Sequence, residues 1–213
     1  PAFDMTARID HFRPHDLQLT ENREGYEYAS VIKAHFQGNT FRNFTGVLSI
    51  DSLKATLPHD TFFMPQLAIV AQSTGEKQKL ITVESDAVQV KIEGEYAYET
   101  LSASFEQILA QYLPSLFNNR KSGHALEVDN EFFFNIKLTD SNFYPYVLGV
   151  PLKIYPSATL RGFISNKQGR MEIVGDVPHL NYDDAVFEIG NIRCYNSPEY
   201  IMANFSIAKQ MAD

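Results

Sequence analysis

Tryptophan is absent from the chain, and cysteine occurs once, at Cys194. A lone cysteine excludes an intrachain disulfide, a Cys-x-x-Cys redox pair and a multi-cysteine zinc centre. Glycine is thinly spread: the 11 glycines never come closer than six positions, at Gly169 and Gly175. That spacing excludes G-x-G-x-x-G, the Walker A loop and the G-x-S-x-G elbow together. The His-Glu-x-x-His pair of metalloproteases is missing too. Cations are outnumbered, 18 Lys+Arg against 26 Asp+Glu, for a net charge of −8 and a pI near 5.2. Such a chain lacks the basic footprint of a nucleic-acid binder and is repelled by anionic lipid surfaces. The longest run without a charge, Thr61 to Gly75, is 15 residues and is broken by Pro65. A spanning helix needs about 20 apolar residues, so the sequence shows neither a transmembrane segment nor a signal peptide. The first residue is Pro1 rather than Met, which reads as a piece cut from a longer protein, or a processed form, whose anchor or signal would lie upstream.

What is present is a folded chain of 213 residues, 44% hydrophobic and 21% charged. At about 150 residues per domain, that allows one large domain or two small ones. Most of it alternates with period two. Val88, Val90 and Ile92 are apolar between Gln89, Lys91 and Glu93. Phe132, Phe134, Ile136 and Leu138 repeat the pattern, with Phe133 the exception on the polar side. Weaker copies are Tyr26-Tyr28-Ser30-Ile32-Ala34-Phe36, Leu67-Ile69-Ala71, Leu160-Gly162-Ile164 and Phe187-Ile189. Gly, Asn, Asp and Pro clusters punctuate them. With strands of about 5–6 residues, roughly ten to twelve fit.

One stretch changes period. From Glu99 to Leu113 the apolar residues Leu101, Phe105, Ile108, Leu109 and Tyr112 follow helical spacing. Pro114 stops the helix, and Thr100 or Ser102 is placed to cap its start. This is one amphipathic helix in a β chain, either packed on the apolar face or capping one end, with a moving plug as the sharper alternative. Clean alternation points to antiparallel strands with one apolar and one solvated face. A sandwich would bury that face against a second sheet; an open curved sheet would leave it as a groove. Alternation alone leaves both open.

Three stretches carry a family likeness. The first is Gly38-Asn39 followed by Phe44-Thr45-Gly46-Val47-Leu48-Ser49-Ile50-Asp51. The second runs from Ile81-Thr82-Val83-Glu84-Ser85-Asp86 through Val88–Tyr96 and the helix to Tyr112-Leu113-Pro114. The third is Phe134–Asp140, then Val150-Pro151-Leu152, then Leu160-Arg161-Gly162. In their order they resemble the AsmA/TamB-like superfamily, in particular the long TamB-like proteins of the Bacteroidetes type, across about three quarters of the chain. The resemblance implies a mostly β fold: a curved antiparallel sheet forming an open apolar groove, of the β-taco or repeating β-groove type, with one amphipathic helix near the middle, about 99–113. It implies one elongated segment over 1–213, divisible into a first sheet part (1–96), the helix and its connection (97–122) and a second sheet part (123–213). The family's C-terminal signature is not evident, which places the segment before the end of a longer chain. The resemblance further implies a periplasmic, cell-envelope protein anchored in the inner membrane. Its implied role is moving phospholipid between membranes and building the outer membrane, with no catalytic residues and no cofactor.

On that reading the residues facing acyl chains are Val88, Val90, Ile92, Phe132, Phe134, Ile136 and Leu138. The helix presents Leu101, Phe105, Ile108, Leu109 and Tyr112. The alternative is a non-enzymatic scaffold whose open sheet edges recruit outer-membrane assembly proteins by strand addition. In either case an isolated segment would self-associate through its cut sheet ends. A continuous, unplugged apolar groove favours the first reading, a closed sandwich with exposed edges the second. A polar pocket with converging titratable groups would revive an enzyme.

The remaining candidates for chemistry read as structural. His11 and His15 are separated by Pro14, His59 adjoins Pro58 in a turn, and His35, His124 and His179 stand alone; no metal site is expected from them. Asp183-Asp184 reads as a solvated strand connection rather than a calcium loop. Glu84 and Asp86 read as outward strand charges rather than a glycosidase pair. Cys194, with no histidine near it in sequence, reads as a half-buried packing residue. The aromatics of Phe132-Phe133-Phe134 and Phe143-Tyr144-Pro145-Tyr146 read as core, with sugar stacking or lipid lining as the alternatives. The sequons at Asn43 and Asn204, and Asp51-Ser52-Leu53 as an O-glycosylation signal, carry little weight alone.

Overall fold

A computed structural model describes residues 2–19, 25–38, 44–58, 60–73, 75, 77–112, 129–139, 144–148, 152–155, 158–182 and 185–209. The expected Leu113–Pro114 helix stop, and His59, His124, Phe143, Asn43 and Asp183-Asp184, lie outside them. The first six strands are β1 (Ala2–Phe12), β2 (Glu27–Gln37), β3 (Thr45–Thr56), β4 (Thr61–Ser73), β5 (Gln78–Ser85) and β6 (Val88–Glu95). A short 3-10 turn, Tyr98–Thr100, leads into α1 (Leu101–Tyr112). Then come β7 (Glu131–Leu138), one π-helical turn (Tyr144–Leu148), β8 (Leu152–Tyr155), β9 (Ala158–Ser165), β10 (Arg170–Asp176) and β11 (His179–Tyr182). The chain continues through β12 (Ala185–Ile189), β13 (Asn191–Asn196), β14 (Ile201–Asn204) and β15 (Ile207–Lys209). The fifteen described strands exceed the expected ten to twelve because β8, β11, β14 and β15 are only three or four residues long, too short to show a period.

The architecture is mostly β: one large antiparallel sheet that is not closed, and one short helix near the middle. Eleven strands form that sheet in the order β1-β2-β3-β4-β5-β6-β7-β9-β10-β13-β14; β15-β12-β11-β8 form a second, smaller one. The two sheet parts flanking the helix are directly hydrogen-bonded, since β6 pairs with β7 from Val88↔Leu138 to Glu95↔Glu131. A one-residue slip would turn every side chain over, and the registers hold one face throughout. Ile32↔Ile50, Leu48↔Ile69, Val83↔Val90, Ile92↔Phe134, Ile136↔Leu160 and Ile173↔Cys194 are all facing pairs on it.

The phase of this alternation breaks along one line. Asp10 and His11 sit in a register shift of β1 against β2, and a second shift lies between β2 and β3. Ser52 carries a positive φ of 54°. Its diagonal neighbours set Pro65 opposite it on β4, past the last rung to β5 at Leu67↔Ser85. A proline donates no hydrogen bond, so it is tolerated where the ladder is already interrupted. Such bulges bend the strands. Across the line, Leu53, Met64 and Leu67 are buried together, with Tyr28, Ile50, Phe62, Ile69, Val83 and Val88 packed on them.

α1 lies on the apolar face. Its core is Tyr96, Ile108, Phe132, Phe134, Ile164 and Met171, and Leu101, Phe105, Leu109 and Tyr112 pack against it. Phe105 stands between the rings of Phe132 (6.3 Å) and Phe134 (5.9 Å). Glycine makes room for these rings: a Cβ on Gly162 would meet Phe134 Cζ at 2.6 Å, and one on Gly94 would meet Phe132 Cα at 2.6 Å. Thr100, expected as a cap, instead donates its hydroxyl to the Ala97 carbonyl (3.2 Å). The opposite end of the strands carries a third cluster, Tyr144, Ile154, Ala158 and Val177, which joins the small sheet to the large one.

Candidate functional site

The apolar face is the surface that distinguishes this molecule. Tracing the registers from β1 to β14, its one charged side chain among the described residues is Lys79 on β5. That ammonium donates to the Tyr96 carbonyl at 2.6 Å and lies 4.5 Å from the Tyr98 ring centre, so its charge is held at one end of the face by a carbonyl and a π system. The remainder is aliphatic and aromatic, with a few small polar residues such as Ser30, Ser73, Ser85 and Asn196.

Cover over this face is uneven. Of the seven residues expected to face acyl chains, all lie on this face. Phe132 (1% exposed) and Phe134 (7%) lie beneath α1. Ile92 and Ile136 pack against the same core. Val88 belongs to the cluster behind the bulge line and Leu138 to the cluster under the small sheet. Val90 belongs to none of the three and is half-buried. Its row runs through Val83 and Ile69, which pack on the bulge-line cluster, then Leu48, buried Ala34 (5% exposed) and Met5. Leu48, and Ile32 in the next row, are half-buried and outside all three clusters. On β1, Phe3 and Met5 are 55% and 40% exposed. The least covered part of the face is therefore the stretch over β1 to β3, and the seven named residues, on β6 and β7, lie away from it.

α1 is fastened at both ends. At its start, Tyr98 donates to the Phe44 carbonyl at 3.0 Å. At its end, Tyr112 donates to the Ser197 carbonyl at 2.6 Å and accepts from Asn196 Nδ2 at 2.8 Å. Between them is a buried polar knot that the sequence did not announce. Asn130 (2% exposed) donates through Nδ2 to the Thr100 carbonyl (3.2 Å), Thr100 Oγ1 (3.0 Å) and Ser104 Oγ (2.7 Å), and accepts the Ala97 N–H at 3.0 Å. A buried network with its members satisfied fixes geometry, because opening it strands polar groups away from water. At the other end of the strands, the Tyr146 carbonyl accepts from Tyr28 Oη at 3.0 Å, and Tyr144 Oη donates to the Ala87 carbonyl at 3.1 Å. Burial holds the phenols of Tyr96, Tyr98 and Tyr144 above the ordinary tyrosine range.

The opposite face is solvated. Phe133 (64% exposed) stands on it beside Phe163, ring centres 4.7 Å apart. Cys194 is half-buried on the apolar face, and burial pushes its thiol up, away from the reactive thiolate. Among the described residues no three His, Cys, Asp or Glu side chains converge to hold a metal ion. His179 and Glu188 approach to 3.9 Å beside Asp176 in a cleft under the small sheet, and both are about half exposed. No helix among the described residues is long and apolar enough to cross a membrane.

The β1 strand went unrecognised in sequence, although Phe3, Met5, Ala7 and Ile9 alternate with Asp4, Thr6, Arg8 and Asp10 as cleanly as any other segment. No protein-family model matches this chain, and neither a curated protein nor a solved structure matches it.

Proposed function

We propose that the chain is a β-groove segment of an AsmA/TamB-like cell-envelope protein, in which the uncovered apolar face shields phospholipid acyl chains on their way between the inner and outer membranes. The observation that carries this reading is an eleven-stranded sheet that does not close, apolar on one face apart from Lys79, with that face least covered over β1 to β3. Burying one methylene is worth about 0.8 kcal/mol, so a sixteen-carbon chain gains on the order of 10 kcal/mol before ordering costs. No specific polar site is needed, and a face without one binds weakly at every position, which a conduit requires. The head group rides in water at the open side. The non-enzymatic role, periplasmic location and inner-membrane anchor of the full-length protein belong to the same proposal and come with the resemblance.

The test is site-specific photocrosslinking in the full-length protein in cells, with phospholipid adducts read by mass spectrometry. Probes at Ile32, Leu48 and Val90 are expected to capture lipid; probes at Lys33, Val47 and Lys91, one residue along the same strands, are not. Probes at Phe132 and Phe134, under α1, are expected to capture less than Val90. Equal capture on both faces, or lipid at none of these positions, overturns the conduit. Protein adducts on the outward positions with no lipid anywhere would instead favour the second reading, an envelope scaffold for outer-membrane assembly. That reading draws its support from the eleven-residue β1, with whose outer side no described strand pairs.

A further inference from the structure

The solvated face of the large sheet carries an aromatic pair among charged side chains. Phe133 is 64% exposed there, and half-buried Phe163 stands directly opposite it on β9. Both rings sit on interior strands, each paired on both sides. One outward step along the same two strands, about 7 Å away, Asn135 faces Arg161. On β10, Glu172 faces Phe163 and is shared by Arg170 (3.4 Å) and Arg193 (3.7 Å). The Arg170 guanidinium lies 5.8 Å from the Phe163 ring centre. Phe133, Phe163, Asn135, Arg161 and Glu172 line a cleft of about 310 Å³, at the small end of the range for small-ligand sites. Asn135 and Arg161 are exposed, and no described side chain pairs with either.

From this cleft we infer a binding site for an acidic saccharide, a pyranose ring that carries a carboxylate. Two rings bounded by charge are too small an apolar patch for the core of a protein interface, which buries about 800 Å² on each side. A sugar ring fits them. Its face of C–H bonds packs on an aromatic π face, and its rim of hydroxyls meets planar donors and acceptors such as Asn135 and Glu172. The charge around the rings is sorted by side. The row on the cleft side runs Lys91, Asn135, Arg161, Val174, Arg193 across β6 to β13, with cations and no acid. The row on the other side of the rings begins with Glu95 and Glu131. Of the three cations, Lys91 pairs with Glu93 at 2.7 Å and Arg193 reaches Glu172. That leaves the Arg161 guanidinium to take the sugar carboxylate, which its fork matches with two hydrogen bonds. Phe133 then holds the ring, Arg161 fixes its direction, and Asn135 reads a hydroxyl between them. The site lies on the face opposite the apolar one and stands whether or not that face carries lipid.

The test titrates the 213-residue chain with digalacturonate, cellobiose and dithymidylate and reads dissociation constants by ligand-observed NMR at physiological salt. Digalacturonate is expected to bind at one site per chain with a Kd of about 1 mM or below, at least about tenfold more tightly than cellobiose. Phe133→Ala is expected to weaken it by about tenfold or more. Arg161→Gln is expected to remove the preference, bringing the two sugars to within about twofold of each other. Phe63→Ala, which removes an exposed aromatic elsewhere (58% exposed), is expected to leave binding unchanged. All three side chains are exposed, and circular dichroism confirms the fold of each variant. No binding of digalacturonate up to about 10 mM overturns the inference. So does undiminished binding by Phe133→Ala, or a preference for the acidic sugar that survives Arg161→Gln. Cellobiose bound as tightly as digalacturonate overturns the acidic assignment. Dithymidylate bound more tightly than either would make the pair a base-stacking surface and overturn the saccharide.

Discussion

The two halves of the large sheet share one face pattern but not one fate. From β6 to β14 the apolar side chains are roofed by α1 and joined to the small sheet, and Phe132, Ile164 and Met171 fall to 1% exposure or less. Over β1 to β3, away from the bulge-line cluster, the same alternation leaves Ile32 and Leu48 half-buried and Phe3 and Met5 55% and 40% exposed. The difference lies in what crosses the face rather than in the strands. A twelve-residue helix reaches about 18 Å, which covers part of an eleven-strand sheet and no more. Alternation sets which side is apolar; the inserted segments decide which of that side is dry.

The sharpest way to break the comparison is to remove one apolar side chain from each half and follow urea unfolding. Phe132→Ala opens a cavity under α1 and is expected to cost about 3–5 kcal/mol. Leu48→Ala removes surface that is already partly wet and is expected to cost less than about 1.5 kcal/mol. Equal losses would mean the face over β1 to β3 is covered in solution. Next in size is the polar knot. Asn130→Leu keeps the volume but strands the Ala97 N–H and the Thr100 and Ser104 acceptors, and is expected to cost about 2–3 kcal/mol. Amide exchange should then quicken in α1 while β2 and β3 keep their protection. Uniform quickening would show the two halves unfold as one unit.

The smallest effect is in pH. Tyr96, Tyr98 and Tyr144 are held protonated by burial above their ordinary range. Above a pH of about 10 the unfolded chain loses those protons while the folded one keeps them, so stability falls as pH rises. All three lie on segments that cover the face. Tyr96→Phe is expected to flatten that alkaline limb, and an unchanged limb would place the titration elsewhere. The carboxylates of Asp10, Glu27, Asp51 and Asp60 are held low by hydrogen-bonding partners, Arg8, His11, Lys33 and Tyr146 respectively, so their share is lost as pH falls through their lowered values. Being exposed, they add little.

Much of this was legible in the residues. The alternation of Val88–Ile92 and Phe132–Leu138 specified two strands and the apolar face of each, though not that they pair, and Leu101, Phe105, Ile108, Leu109 and Tyr112 specified the helix and its apolar stripe. Phe133, out of phase in the sequence, is out on the solvated face. Other features were not legible, for physical reasons. Of the small sheet only β12 showed in sequence, through Phe187-Ile189; β8, β11 and β15 have three or four residues, too short for a period. The bulge line reverses the phase of β3 and β4 at Ser52 and Pro65, so Leu53 and Met64 look outward when counted from Ile50 and Leu67. Asn130 gives no local signal, because its partners lie 26 to 33 residues away. That α1 would cover Phe132 and Phe134 while leaving Val90 bare depends on where the helix lands, which pattern alone does not encode.

The order of the strands has a consequence for how the chain is made. From β1 to β7 each strand pairs with the one before it in sequence. From β1 to β6 the strand pairings join sequence neighbours, the arrangement that keeps loop closure cheap. A chain emerging N-terminus first can therefore extend its sheet one strand at a time, as a repeat protein grows from its first unit. The one long interruption is the passage from β6 to β7, where the segment carrying α1 must be spun out before the next strand arrives. The polar knot that fixes α1 needs β7 as well, because Asn130, which precedes β7, supplies the donors to Thr100 and Ser104.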